Sequence, residues 1–177
     1  MTDNIIITGF GGQGILFAGK ILAYAALLKG KQLSWLPSYG PEMRGGTANC
    51  HVIISDEPVG SPIIIHPNIL ISMNKPSLEK FEKDVIPGGT IIYDKTLIDR
   101  GIARDDVKVA AVDATEIASK EAKASMANMI MLGALLKVTG IFTLEEIKAG
   151  VEKTTPASKK HLIASNMEMI EKGYCLV

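Results

Sequence analysis

Gly9-Phe10-Gly11-Gly12-Gln13-Gly14 is the stretch of this chain whose residue types and spacing are best suited to chemistry. Gly9, Gly11 and Gly14 follow the G-x-G-x-x-G spacing, which supplies a sharp turn, a close approach of backbone to a bound group and close packing of helix on strand. Ile5-Ile6-Ile7-Thr8 precedes the glycines and a long apolar run, Ile15–Leu28, follows them, so the region reads as strand, tight loop and helix. A loop of this kind directs free N–H groups and the positive end of a helix at one place, which suits an anion. A turn that merely needs positive φ has the same spelling, and the spacing alone does not separate the two.

Two neighbouring features narrow the choice of ligand. A dinucleotide-binding unit places an acid about 20 residues on, at the end of the second strand, to hold the ribose. Here that strand is Gln32-Leu33-Ser34-Trp35-Leu36, and no acid follows before Glu42, so NAD is disfavoured. Lys20 lies six residues past Gly14, too far down the helix for the phosphate lysine of G-x-x-x-x-G-K-[ST].

The second candidate is the loop Pro37-Ser38-Tyr39-Gly40-Pro41-Glu42-Met43-Arg44-Gly45-Gly46. It sets an aromatic, an acid and a guanidinium among turn-formers, the composition of a binding surface rather than of a connector. A structured turn with Glu42 and Arg44 weakly paired in solvent is the plainer reading. His51 and His66 have no Asp, Glu or His at ligand-like spacing, and His161, which follows Lys159-Lys160 near the start of the last helix, reads as part of a solvated face, so no metal site is expected. Met126, Met129 and Met131 read as core or interface filler. Asn128, an amide in an apolar helix, needs a partner, which a neighbouring loop or a ligand would equally supply.

The elements that must position these loops are legible in outline. With 177 residues, 47% of them hydrophobic, the chain is long enough for one domain with a sizeable core. Lys plus Arg and Asp plus Glu balance at 19 each, which gives no bias toward nucleic acid or an anionic membrane. Met1-Thr2-Asp3-Asn4 lacks the basic region of a signal peptide, and the most apolar later stretch, residues 126–136, is too short to span a bilayer, so the cytoplasm is the expected location. Cys50 and Cys175 are the two cysteines, read as reduced and structural; no C-x-x-C pair exists, so iron–sulfur clusters would belong to another chain.

Residues 47–55 read as a strand, 56–60 as a turn and 61–66 as a return strand, so an antiparallel pair is expected there. Strands follow at 70–73, 90–93 and 107–112, with a short helix begun near Pro76. Asp113-x-x-Glu116 resembles a capping box for a helix to about Lys123, residues 128–137 form the most apolar helix with Gly140 as its stop, and Thr143-x-x-Glu146 is a proper capping box. Thr155-Pro156 predicts the N-cap and first residue of a last helix over 157–171, stopped at Gly173. The expected fold is α/β: a three-layer α/β/α single domain over residues 1–177 with a mixed, mostly parallel, Rossmann-like sheet.

Taken together, the glycine turn, the loop from Pro37 to Thr47, Met73-Asn74-Lys75-Pro76-Ser77, and Asn128 with Leu132-Gly133-Ala134-Leu135 resemble the gamma subunit of 2-oxoacid:ferredoxin oxidoreductases. The match runs nearly the full length in family order and looks closest to the 2-oxoglutarate and 2-oxoisovalerate types. The resemblance implies a complex that decarboxylates a 2-oxoacid (pyruvate among the family's substrates) on thiamine diphosphate, sends electrons through [4Fe-4S] clusters to ferredoxin and passes the acyl group to coenzyme A. It implies alpha, beta and ferredoxin-like delta subunits as partners, with thiamine diphosphate, Mg2+ and the clusters on those chains and no cofactor held tightly by this one. Carried onto this sequence, Gly9, Gly11, Gly12, Gln13 and Gly14 would form an anion-accepting or partner-contacting corner. Tyr39 and Arg44 would reach a shared cleft on the coenzyme A side, with Glu42, Met43 and Asn128 in support. The competing expectations are a free-standing nucleotide-binding oxidoreductase and a purely structural assembly subunit.

Overall fold

The computed structural model describes residues 2–38 and 47–177. In chain order the elements are β1 (Thr2–Phe10), α1 (Ile15–Leu28), β2 (Gln32–Pro37), β3 (Thr47–Ser55), β4 (Ile69–Ser72), α2 (Lys75–Phe81), β5 (Thr90–Asp94), β6 (Lys108–Val112), α3 (Ala114–Lys120), α4 (Ala127–Thr139), α5 (Leu144–Thr154) and α6 (Ile163–Cys175). Six strands form one sheet in the order β2-β3-β1-β4-β5-β6. β1, β4, β5 and β6 pair in parallel, while β3 runs antiparallel to both of its neighbours. The expected α/β/α architecture with a mixed sheet is present.

Alternation along the strands sends side chains to two cores of unequal size. Ile5, Ile7, Cys50, Val52, Ile69, Ile71 and Ile92 face the larger one, which α1, α3, α4, α5 and α6 cover. Ile6, Ile53, Leu70, Ile91 and Tyr93 face the smaller one, closed by Leu78 and Phe81 of α2 and by loop residues such as Ile64 and Ile98. The second helical layer is therefore a single two-turn helix with loops packed beside it. Between β5 and β6 the chain forms no helix. It is pinned instead through the nearly buried Glu82, whose carboxylate accepts from Arg100 Nη2 at 2.6 Å and from the Ala103 amide at 3.1 Å.

Three local expectations are corrected. Residues 61–66 do not form a return strand, because both edges of β3 are already taken by β1 and β2. The segment instead runs over the outside of the smaller core, with Ile64 alone of residues 61–66 buried in it and its amide donating to His51 Nδ1 at 2.9 Å. Asp113 does not cap α3: its carboxylate pairs with Lys95 at 2.8 Å, and the α3 amide of Thr115 is capped by the fully buried Asp94 at 3.1 Å. Thr155 and Pro156 do not open the last α-helix. Thr155 closes α5, a 3-10 segment Ala157–Leu162 intervenes, and Gly173 lies inside α6, where it lets α6 approach α4. The Thr143–Glu146 capping box, by contrast, is formed on both sides, and Gly140 ends α4 with φ 65°.

Candidate functional site

The glycine turn lies at the carboxyl edge of the parallel strands, where open α/β sheets bind their ligands. Its shape is set by Gln13. The Gln13 Oε1 accepts from the Phe10 amide at 2.6 Å, and Nε2 donates to the Met73 carbonyl at 3.2 Å, tying the turn to the end of β4. Gly9 leaves room for this carboxamide, since a Cβ there would stand 2.5 Å from Gln13 Oε1. Gly14, at φ 73°, is the N-cap of α1 and has no side-chain cap; a Cβ on it would strike Asn128 Nδ2, which donates to the Gly14 carbonyl at 3.0 Å. Asn128 thus has a protein partner, the turn itself. Phe10, Gly11 and Gly12 form the exposed crest, with Gly12 at φ 94°.

The close helix-on-strand packing expected of Gly14 is supplied by Gly19. A Cβ at Gly19 would sit 2.5 Å from Cys50 Sγ and 3.1 Å from Trp35 Nε1. The Cys50 thiol beneath it is fully buried, and burial pushes its pKa up to about 12, so it stays protonated.

Tyr39, Glu42, Met43 and Arg44 lie outside the described residues. The flanking residues are placed: the Ser38 amide donates to the Asn49 carbonyl at 2.8 Å, and Thr47 pairs with Phe10 across the β1–β3 ladder. Both ends of that segment therefore start from the edge that carries the glycine turn. The Met73–Ser77 motif joins the same edge through Gln13 and Met73, and Asn74 Oδ1 caps α2 by accepting from the Ser77 amide at 2.9 Å.

On the helical side of the turn lies a cavity of about 410 Å³ between α1, α4, α5 and the start of α6, with Gly14 and Asn128 in its wall. Lys20, Lys159 and Asn166 line it too. Sequence reasoning set Lys20 aside for its distance from Gly14 and read the basic run at 159–161 as a solvated face. The helical register of Lys20, two turns into α1, was the available signal.

Among the described residues no three His, Cys, Asp or Glu side chains are grouped to hold a metal ion, and the chain's two thiols do not supply the four ligands of an iron–sulfur cluster. No helix among the described residues is long and apolar enough to cross a membrane.

Fold and site together define an open α/β domain whose glycine turn, β4–α2 motif and buried amide meet at one sheet edge. Residues 4–176 match the family described as pyruvate ferredoxin/flavodoxin oxidoreductase, and the chain belongs to that family. It is 44% identical over 172 residues to the ketoisovalerate oxidoreductase subunit VorA of Methanothermobacter thermautotrophicus, a match covering 96% of this chain and 35% of that protein. The chain thus spans about a third of that relative. It is 37% identical to the 2-oxoglutarate synthase subunit KorC of Methanocaldococcus jannaschii, covering 98% of this chain and 93% of that one. Among solved structures it resembles the gamma subunit of a keto/oxoacid ferredoxin oxidoreductase from Geobacter sulfurreducens, with TM-score 0.82 and 29% identity, over 97% of this chain and 96% of the other.

Proposed function

We propose that this chain is the gamma-type subunit of a thiamine-diphosphate-dependent 2-oxoacid:ferredoxin oxidoreductase, inactive alone, which walls the cleft where coenzyme A meets the acyl group. The observation that carries this reading is the shared edge: the glycine turn, the Met73–Ser77 motif and both described ends of the segment holding Tyr39 and Arg44 start from it. Family membership and the nearly full-length likeness to KorC support the subunit role. In this reading thiamine diphosphate, Mg2+ and the iron–sulfur clusters sit on alpha, beta and ferredoxin-like delta chains, and ferredoxin is the acceptor. Gly11, Gly12 and the amides beside them face the shared cleft, while Gln13 and Asn128 hold the turn in shape.

In this reading Arg44 would supply a planar guanidinium suited to a carboxylate or phosphate, with Tyr39 and Glu42 from the same stretch of sequence in support. Arg44→Ala in the assembled enzyme is expected to lower kcat/KM for coenzyme A or the 2-oxoacid by roughly tenfold or more. That is the loss of one charge-assisted contact of about 1.5–3 kcal/mol. Subunit composition on gel filtration should be unchanged. Steady-state kinetics identical to the parent enzyme would remove Arg44 from the site.

A further inference from the structure

β2 is the end strand of the sheet, and among the described residues no strand pairs with its outer edge. The register with β3 fixes which backbone groups face out. The Ser38 amide donates to the Asn49 carbonyl, and the ladder behind it pairs Leu36 with His51, Ser34 with Ile53 and Gln32 with Ser55. In an antiparallel ladder a residue turns its N–H and C=O to the same side, and that side alternates along the strand. Ser34 and Leu36 share the side of Ser38 and bond to β3, whereas Leu33 and Trp35 direct both backbone groups outward. Pro37 takes the next outward position, where its missing N–H costs no ladder bond.

Such an edge is ordinarily blunted by charge or by a bulge. β2 has no charged side chain and no break in its register. Its flank is apolar as well: a groove of about 370 Å³ lies between β2 and α1, lined by Lys20, Ala23, Tyr24, Leu27, Leu33 and Trp35. Leu27 is 56% exposed there. A strand laid beside β2 sets the side chains opposite Leu33 and Trp35 on the groove side, because directly opposed residues point to one face. Backbone edge and groove thus call for the same object, an extended segment that reads apolar, any residue, apolar.

Charge decides where that segment comes from. Lys20 lines the groove and forms no ion pair among the described residues, and neither α1 nor β2 contains an Asp or Glu. A second copy paired edge to edge about a two-fold axis would oppose α1 and β2 to themselves, and neither element could supply an acid to Lys20. A different chain can supply one.

We propose that a partner subunit adds a seventh strand to the six-stranded sheet at the outer edge of β2, seating alternate apolar side chains in the groove and an acidic one beside Lys20. Given the subunit role proposed above, on which this assignment rests, the added strand also fixes the base of the segment that holds Tyr39 and Arg44, which begins where β2 ends.

The test is amide hydrogen exchange, resolved to single residues, on the full-length chain alone and after mixing with the purified thiamine-binding and iron–sulfur chains of the proposed complex. The Leu33 and Trp35 amides are expected to exchange freely in the isolated chain and to slow by roughly tenfold or more in the complex, while those of Ser34 and Leu36 are protected in both. Affinity for the same partner chains is then compared across variants. Leu27→Gln, which puts an amide into the groove, and Lys20→Glu, which reverses its charge, should each weaken binding by roughly tenfold or more with the circular dichroism melt of the parent. Leu28→Gln, at a side chain 55% exposed but outside the groove, should bind as the parent does. Parent-like affinity of the Leu27 or Lys20 variant, or Leu33 and Trp35 amides that exchange in the complex as they do alone, would overturn the proposal. So would slowing of those amides in a homodimer of the isolated chain, which would make the occupant a second copy. A complex that forms without the slowing leaves the subunit role standing, whereas no complex with the parent chain removes both.

Discussion

Gly133→Ala is expected to destabilise the domain by about 3 kcal/mol, at the upper end of what overpacking a well-filled core costs. α4 and α6 approach so closely that a Cβ on Gly133 would land on the Ile170 carbonyl oxygen and stand 2.7 Å from the Tyr174 amide nitrogen. The contact is reciprocal, since a Cβ on Gly173 would land on the Ile130 carbonyl oxygen. Both obstacles are backbone, so no rotamer change relieves them and the helices must separate. α4 is buried from Ala127 to Leu136, and separating it opens the larger core along its length. For a chain of this size the loss corresponds to roughly 6–12 °C in Tm. Gly60→Ala is the control, because nothing lies within 4 Å of a Cβ there, and it should change stability by less than about 0.5 kcal/mol. A thermal melt in which the two variants match would contradict the packing described.

Asp94→Ala should cost a similar amount, about 3 kcal/mol, from three hydrogen bonds of roughly 1 kcal/mol each. Asp94 is fully buried and accepts from the Thr96 amide at 3.1 Å, the Thr115 amide at 3.1 Å and the Thr115 hydroxyl at 2.5 Å. One carboxylate therefore shapes the turn after β5 and caps α3. Asp113→Ala removes only a half-exposed pair with Lys95 and should cost less than about 1 kcal/mol. Urea denaturation of both variants compares them directly, and an Asp113 variant less stable than the Asp94 variant would reverse the assignment.

That pair of aspartates illustrates what the sequence could and could not disclose. Where a motif is closed within one turn, as in the Thr143–Glu146 capping box or the Gly140 stop, local chemistry is sufficient and the structure agrees. Asp113 sits at a position where a cap is expected, yet a residue 21 positions from Thr115 reaches that amide first, and this competition is tertiary. Residues 61–66 fail for the same reason: their β-branched run suits a strand, but β3 has no free edge to offer. Gly173 has the look of a helix stop and is instead a contact with Ile130, which no spacing rule reports.

The candidate site divides along the same line. The glycine turn and its edge were legible, because a strand, four glycines and an apolar helix in succession admit few shapes. The internal role of Gln13, bridging Phe10 to Met73, was not, since its partner is 60 residues away. Nor was the cavity: Lys20, Lys159 and Asn166 come from three separate elements and meet only after α1, α4, α5 and α6 have packed.

The subunit role is tested most directly by leaving this chain out. The thiamine-binding and iron–sulfur chains of the proposed complex would be purified with and without it, and 2-oxoacid- and coenzyme A-dependent reduction of ferredoxin measured. Turnover is expected in the complete complex and absent both from the incomplete complex and from this chain alone. Full-rate reduction without it, or turnover by this chain unaided, would contradict the role proposed here.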